Sequence, residues 1–442
     1  MSRRRKNILL NVLLNGRLVG VYERQSSGNI SFTYTKTWLN WERAMPISLS
    51  LPLQNTPHRG ARVSAYFNNL LPDSQAILKG IAERIGSEST DAFDLLSQIG
   101  RDCVGALQFI PKDYVYDANE SGAFEPLTEK QVRNILVDLK HAPLGIEQEG
   151  GFRISIAGAQ EKAAFLKVDK TWCRPIGTTP TTHIFKTQIG KIEFSTGMVD
   201  LSNSVENEFY CLELLRAFGL ETPNIKIAHF EDKTVLIVER FDRIHTPDRK
   251  IIRLPQEDMC QVLGVPPTKK YQNKGGPTLI DILRLVRKSD NPAKDQKTLF
   301  KSQILFWLIG ATDGHAKNFS IFLRPHGQIS LTPLYDVLSA QPMFDKAQIQ
   351  HKEFRLAMSV GRKPHYKILN ICRRYYYETA NAADLNEDFV DDCITEIVEA
   401  FHTAFDHIEG ILPQNFPMEM HASIKNAAQT RLGILSEPYT PT

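Results

Sequence analysis

Three residues carry the strongest chemical signal in the sequence: Asp313, Asn318 and Asp336. The first two sit in Ile309-Gly310-Ala311-Thr312-Asp313-Gly314-His315-Ala316-Lys317-Asn318, where polar groups gather between a strongly apolar helix and an alternating strand over 319–323. Pro325-His326-Gly327 then turns the chain, 329–331 returns as a second strand, and Tyr335-Asp336 closes the hairpin. This order is expected to bring Asp336 back to Asp313 and Asn318. Such a set suits phosphoryl transfer, in which one carboxylate orients the attacking hydroxyl while an Asn and a second carboxylate hold Mg²⁺ against nucleotide phosphates. Asp313 is therefore the candidate catalytic base, and Asn318 and Asp336 are the candidate metal ligands.

The Asp-to-Asn interval of five equals that of the protein-kinase catalytic loop, where a hairpin also precedes the metal-binding Asp. By itself the interval is common and marks solvated loop residues. The helix before it and the hairpin after it favour the functional reading. A kinase also needs a cation for the α and β phosphates. Lys186 ends the apolar strand His183-Ile184-Phe185, and Glu208 on a following helix is its expected ion-pair partner; the plain alternative for each is an exposed charge. Glu239, Arg240 and Phe241 lie where sheet gives way to helices, so their backbone groups are candidate adenine contacts, or else a simple linker.

The loop from Ser155 to Lys162 is small and polar. Its residues Ser155, Ile156, Ala157, Gly158 and Lys162 are candidates for phosphate oxygens, with a plain hairpin turn as the alternative. It is neither a Walker A motif nor the GxGxxG loop of ordinary kinases. His315, Lys317 and Tyr335, next to the acidic and amide trio, complete the candidate nucleotide contacts. A serine near a γ-phosphate is also a candidate for self-phosphorylation, and Ser155 is the one so placed.

Several elements must position these groups. Asn15-Gly16 between apolar stretches at 8–14 and 18–22 predicts a type I′ hairpin, because both residues tolerate positive φ. Ile30, Phe32 and Tyr34 alternate with Ser31 and Thr33 and predict a further strand. Leu127-Thr128-Glu129-Lys130-Gln131-Val132 reads as a capping box with a hydrophobic staple, opening a helix that runs to about 140. Strands are expected over 152–156, 163–168, 183–186 and 235–238, and a helix over 205–218 stopped by Gly219. Helices dominate from Pro277, through Leu279, Ile282, Leu283 and Val286 and then Phe300, Ile304, Trp307 and Leu308, and return over 389–405. The fold class is α+β. The expected architecture is a two-lobed body with a small β-rich lobe and a larger, mainly helical lobe, preceded by an N-terminal β-rich domain. Its segments are 1–115 (β-rich domain), 116–150 (connection with a short helix), 151–243 (nucleotide-binding lobe) and 244–442 (helical catalytic lobe).

Composition sets the outer limits. With 42% hydrophobic and 23% charged residues over 442 positions, the chain is an ordinary globular protein and not a disordered one. Its formal net charge of +3 excludes a strongly basic nucleic-acid binder as a whole, though not a local patch. The six cysteines are scattered without a CxxC pair or zinc spacing, which points to a reducing, cytoplasmic setting. Ser2-Arg3-Arg4-Arg5-Lys6 followed by Ile8-Leu9-Leu10 mimics a signal peptide, but Asn11 interrupts it and Asn15-Gly16 ends it without a cleavage site, so a strand is expected. The longest apolar run, around 304–309, is far below the ~20 residues needed to span a bilayer. No membrane association is expected.

Taken together, FRISIAGAQEK (152–162), TPTTHIFK (179–186), LPQEDMCQ (254–261), WLIGATDGHAKNFS (307–320) and LTPLYD (331–336) resemble the HipA family, kinase toxins of a bacterial toxin-antitoxin pair. LSLPLQ (49–54), FNNLLPDS (67–74) and DLLSQIGRDCVGAL (94–107) extend the resemblance over nearly the whole chain. It implies a two-lobed, protein-kinase-like fold, ATP and Mg²⁺ as cofactors, and serine phosphorylation of glutamyl-tRNA synthetase, which blocks translation and drives growth arrest and persistence. It assigns the base to Asp313, metal binding to Asn318 and Asp336, nucleotide binding to Lys186 and 239–241, and inactivating autophosphorylation to Ser155. It also implies a HipB-like helix-turn-helix antitoxin, with which the toxin co-represses its operon on operator DNA.

A basic run including Lys363, Lys367, Arg373 and Arg374 is the candidate for direct DNA contact, against the plainer reading of a solvated helix face. Two other classes stay open: a catalytically silent kinase-fold co-repressor, and a small-molecule phosphotransferase with the same Asp-to-Asn interval. Thr-Asp-Gly-His stands where ordinary kinases have His-Arg-Asp, and Tyr-Asp-Val where they have Asp-Phe-Gly, so ordinary activation-loop regulation is not implied.

Overall fold

The computed structural model describes residues 7–112, 122–140, 162–194, 197–248 and 250–438. They fall into two compact units, one within 1–187, 228–268 and 320–328, the other within 188–227, 269–319 and 329–442.

The first unit opens with the expected hairpin. Ile8–Leu14 and Arg17–Arg24 pair antiparallel, and Asn15 and Gly16 take φ values of 48° and 81°, the positive-φ pair of a type I′ turn. The strands lie in the order His58–Arg59, Ile30–Tyr34, Arg17–Arg24, Ile8–Leu14, Leu107–Pro111. Alternation puts Tyr22 on the covered face, where Phe67 of the helix Ala61–Asn68 stacks on it at 3.9 Å and Phe93 of Ala92–Ile99 lies at 5.0 Å.

A second sheet in this unit has the order Ile225–Phe230, Lys233–Glu239, His183–Thr187, Lys162–Val168, Thr171–Pro175, Phe124–Pro126. Phe165, Phe185, Val235 and Ile237 form its apolar face, covered by Val132, Ile135 and Leu136 of the helix Glu129–Val137. That helix begins as the sequence predicts. Thr128 Oγ1 accepts from the Gln131 N–H while Gln131 Oε1 accepts from the Thr128 N–H, and Leu127 joins Val132 in the same core.

An ion cluster is buried among segments of this unit far apart in sequence. Asp102 Oδ1 accepts from Arg253 Nε at 2.7 Å and Arg243 Nη2 at 3.1 Å, while its Oδ2 accepts from the Thr181 N–H and hydroxyl. Asp242 takes both a bidentate contact from Arg240 and the Gly105 N–H. Burial alone would raise the Asp242 carboxyl, but Arg240 and Arg243 outweigh it and hold it below the usual range. Burial and the neighbouring Arg240 bring Arg243 down to about 10.

The second unit is mainly helical. Leu279–Val286 and Pro292–Ile309 appear where the apolar spacing predicts helices, the latter with Asn291 as N-cap and Pro292 at its first turn. Pro292–Ile309 buries residues on all sides, including Phe300, Ile304, Trp307 and Leu308. The terminal helix expected over 389–405 is longer, Glu387–Ile411, and a further helix, Met418–Ser436, follows it. Among the described residues no helix is long and apolar enough to cross a membrane.

Candidate active site

The second unit assembles the trio. The helix Pro292–Ile309 ends at Gly310, whose φ of 71° gives a left-handed cap, and the Ala311 N–H returns to Phe306 O at 2.8 Å. Arg431 donates to the terminal carbonyl of Leu308, and its own guanidinium is brought down to about 10 by burial. The helix thus delivers residues 311–318 from a fixed point. Gly314 is needed here for close approach, because a Cβ would lie 2.6 Å from the Phe306 ring.

Asn318 is the keystone of the loop. Its Nδ2 donates to Asp313 O at 2.8 Å and to Asp336 O at 3.4 Å, so one amide ties the loop carrying Asp313 to the segment carrying Asp336. With the NH₂ end spent on backbone, Oδ1 is the end left for a cation. The Tyr335 hydroxyl donates to Lys317 O at 2.9 Å and adds a second tie between the two segments.

Asp336 takes φ 61°, an uncommon conformation for a residue with a side chain, and its flanks are fixed on both sides. Before it, the Leu334 N–H donates to Glu221 O; after it, Asn207 clamps the backbone of Ser339, whose hydroxyl donates to Ile309 O. The structure thus brings the backbones of Asp313 and Asp336 together on the Asn318 amide.

Asp313 points outward, 59% exposed, with Oδ1 accepting from the Tyr271 hydroxyl at 2.7 Å. His315 is buried, its Nε2 3.9 Å from Asp313 Oδ2, and its ring packs edge-on against Tyr271. Lys317 is buried too. Among the described residues no group of three or more His, Cys, Asp or Glu is arranged to hold a metal. The Asn-plus-Asp oxygen set nevertheless fits Mg²⁺, which binds through one or two protein oxygens together with substrate phosphates.

The remaining candidates lie elsewhere. In the first unit Lys186, on His183–Thr187, stands directly opposite Lys162 across the antiparallel pair, and both are buried. Glu239 ends its strand exposed. Arg240 is engaged twice, its N–H with Thr182 O and its guanidinium with Asp242 and Thr181, so its side chain serves the ion cluster. Phe241 packs edge-on against Phe322. Glu208 is buried on the helix Ser204–Ala217 in the second unit. Ser155, Ile156, Ala157 and Gly158, with the strand expected at 152–156, lie outside the described residues.

The basic run divides between a hairpin and a helix start instead of forming one helix face. Lys363 lies between the strands Arg355–Val360 and His365–Lys367, and Lys367 pairs with Arg355; all three are exposed. Arg373 is bound to Asp391, the Tyr377 hydroxyl and Glu437 O, and Arg374 faces Glu378 at 3.3 Å.

Known proteins can now be set beside this geometry. The HipA-like C-terminal domain family matches residues 154–405, more than half of the chain, and the HipA N-terminal domain family matches 10–110. The chain belongs to the HipA family. A putative kinase of Sinorhizobium fredii, Y4mE, is 35% identical over 362 residues, covering 80% of this chain and 81% of the relative. The serine/threonine-protein kinase toxin HipA of Shewanella oneidensis is 28% identical, covering 80% and 79%. The solved complex of Shewanella oneidensis HipA with HipB and operator DNA contains a chain that matches with a TM-score of 0.80 at 25% identity, over 97% of this chain and 98% of that one. The α+β, kinase-like HipA fold expected from the sequence is thereby borne out.

Sequence reasoning missed three supports of the site: Tyr271, Asn207 and Arg431. Each acts across a long gap in sequence, 42 residues for Tyr271 to Asp313 and 132 for Asn207 to Ser339, and no local spacing announces it.

Proposed function

We propose that this HipA-family chain is an ATP- and Mg²⁺-dependent protein serine/threonine kinase, the toxin of a toxin-antitoxin pair. The observation that supports it most is the single amide of Asn318 linking the backbones of Asp313 and Asp336. Asp313 accepts the proton of the acceptor hydroxyl as that oxygen bonds to the γ phosphorus and the bond to the β–γ bridging oxygen breaks, releasing ADP. Asn318 and Asp336 supply oxygens to Mg²⁺, which when bound neutralises phosphate charge. Lys162 and Lys186 contact phosphates, His315, Lys317 and Tyr335 line the nucleotide, and the backbone of 239–241 receives the base. Ser155 and the small residues after it, Ile156, Ala157 and Gly158, complete the phosphate contacts.

The acceptor is a serine of a translation enzyme, glutamyl-tRNA synthetase being the one the family resemblance suggests. Phosphorylation of Ser155 in the chain itself switches the kinase off. A HipB-like antitoxin is the partner, and the pair represses its operon on operator DNA; the name of the Shewanella oneidensis complex supports both partners. Of the basic run, Lys363 and Lys367 contact the DNA, a reading supported by their exposure and by the commitment of Arg373 within the protein.

The test is incubation with γ-labelled ATP, Mg²⁺ and a bacterial lysate, followed by identification of the labelled protein. The reading predicts one dominant labelled band that disappears with D313N. Equal labelling by D313N, or no ATP binding at all, refutes it and favours the silent co-repressor. Transfer confined to small molecules favours the phosphotransferase.

A further inference from the structure

Tyr271 has no role in the reading above, yet its hydroxyl makes the shortest side-chain contact to the candidate base, 2.7 Å to Asp313 Oδ1. Asp313 otherwise stands on a loop with its carboxylate 59% exposed, and an exposed Asp side chain is free to turn about two bonds. A donor fixed at one carboxylate oxygen selects a single orientation.

The donor itself is held from several sides. The carbonyl of Tyr271 accepts from the N–H groups of both Lys274 and Gly276 at 3.0 Å, which folds 271–276 into a tight loop. Gly276 is required for that closure, because a Cβ there would lie 2.1 Å from Lys269 O. The neighbouring Gln272 pins the loop to the strand Arg355–Val360, donating to the Ser359 hydroxyl at 2.7 Å and accepting from the Ser359 N–H at 2.8 Å. The phenol ring meets His315 edge-on at 5.0 Å, and the Ala316 N–H reaches Lys270 O. Asp313 and the residues just after it, His315 and Ala316, are thus tied to the segment that carries Tyr271.

The geometry points to Tyr271 as the positioning residue for the base. Its phenol donates to Oδ1 and turns Asp313 so that Oδ2 is presented to the acceptor hydroxyl. Oδ2 is 3.9 Å from His315 Nε2, outside hydrogen-bond distance of that ring. This inference rests on Asp313 being the base, and it assigns orientation, not ATP binding, to the 271–276 loop.

The experiment compares wild type, Y271F, Q272A, D313N and the double variant Y271F/D313N with one protein acceptor. Phe keeps the ring against His315 and removes only the hydroxyl. Y271F is expected to lower kcat roughly tenfold or more, the loss of one hydrogen bond to a charged group, while the KM for ATP and the melting temperature stay at wild-type values. Q272A is expected to give a smaller fall in kcat of the same kind. Adding Y271F to D313N should lower the residual rate no further.

An unchanged or increased kcat in Y271F overturns the inference, the increase indicating that the phenol blocks the acceptor. A fall in kcat accompanied by weaker ATP binding or a lower melting temperature also overturns it, since that marks a structural role. If D313N is inactive while Y271F matches wild type, only Tyr271 is misassigned. If D313N is fully active, the base itself is misassigned and both readings fall.

Discussion

The ion cluster around Asp102 and the loop around Asp313 both use carboxylates, but on opposite terms. Every oxygen of Asp102 and Asp242 faces donors that are themselves buried: Arg240, Arg243, Arg253, Thr181 and Gly105. Removing one partner leaves the others charged in a medium that cannot solvate them. Asp313 instead stands outward with one phenol on one oxygen, and Asp336 sits in a left-handed conformation fixed by its neighbours. The cluster spends its charges on stability. The loop leaves Asp313 outward and draws its precision from backbone ties.

The difference predicts that activity and stability separate. The largest effect is on activity: D313N should lower phosphoryl transfer by about 10³-fold, the scale of general-base loss, without shifting the melting temperature by more than a degree or so. Next is D102A, which takes the carboxylate from Arg253 and leaves Arg243 with Asp242 alone, and should cost roughly 3–5 kcal/mol, read as a large drop in the denaturation midpoint. A D102A protein as stable as wild type would break the comparison. Smaller again is G314A. Its Cβ collides with the Phe306 ring, so about 1–3 kcal/mol of strain and a displaced Asp313 should appear together, measured by melting and by transfer rate.

The smallest effect concerns a buried carboxylate with no arginine among the causes of its shift. Glu257, on the strand Gln256–Asp258, is pushed up to about 8, chiefly by burial, with the Ser48 hydroxyl and the Leu49 N–H opposing. In the folded chain it therefore keeps its proton between its ordinary value near 4.5 and about 8, where the unfolded chain has released it. The folded state binds more protons over that window, so its stability falls as pH rises through it. E257Q cannot ionise. Melting curves from about pH 6 to about pH 7.5 should show wild type losing on the order of 2 kcal/mol relative to E257Q, and parallel curves would reject the assignment.

How much of this was legible in the sequence follows the range of the interactions. The Asn15-Gly16 turn, the Thr128–Gln131 capping box and the Gly310 stop are set by residues within a few positions of one another, and they appear where the sequence predicts. Asp313 and Asn318 were readable because the helix, loop and strand that frame them are contiguous.

The helix Met418–Ser436 was not anticipated. Its buried positions Met420, Ile424, Ala428, Arg431 and Leu435 keep helical spacing, but Arg431 breaks the apolar pattern while donating to Leu308 O. The Asp102 cluster joins residues 141 and 151 positions apart, and no periodicity encodes such a link. The basic run misleads for a related reason. Charge is visible in sequence, whereas the engagement of Arg373 with Asp391, Tyr377 and Glu437 is not.

The most direct test of the central claim is calorimetric titration of ATP, with and without Mg²⁺, into wild type, N318A and D336N. If Asn318 and Asp336 supply the oxygens that grip a magnesium-bound triphosphate, wild type binds ATP at least tenfold more tightly with Mg²⁺ and both variants lose that gain while retaining metal-free binding. Equal Mg²⁺ dependence in all three proteins would contradict the account.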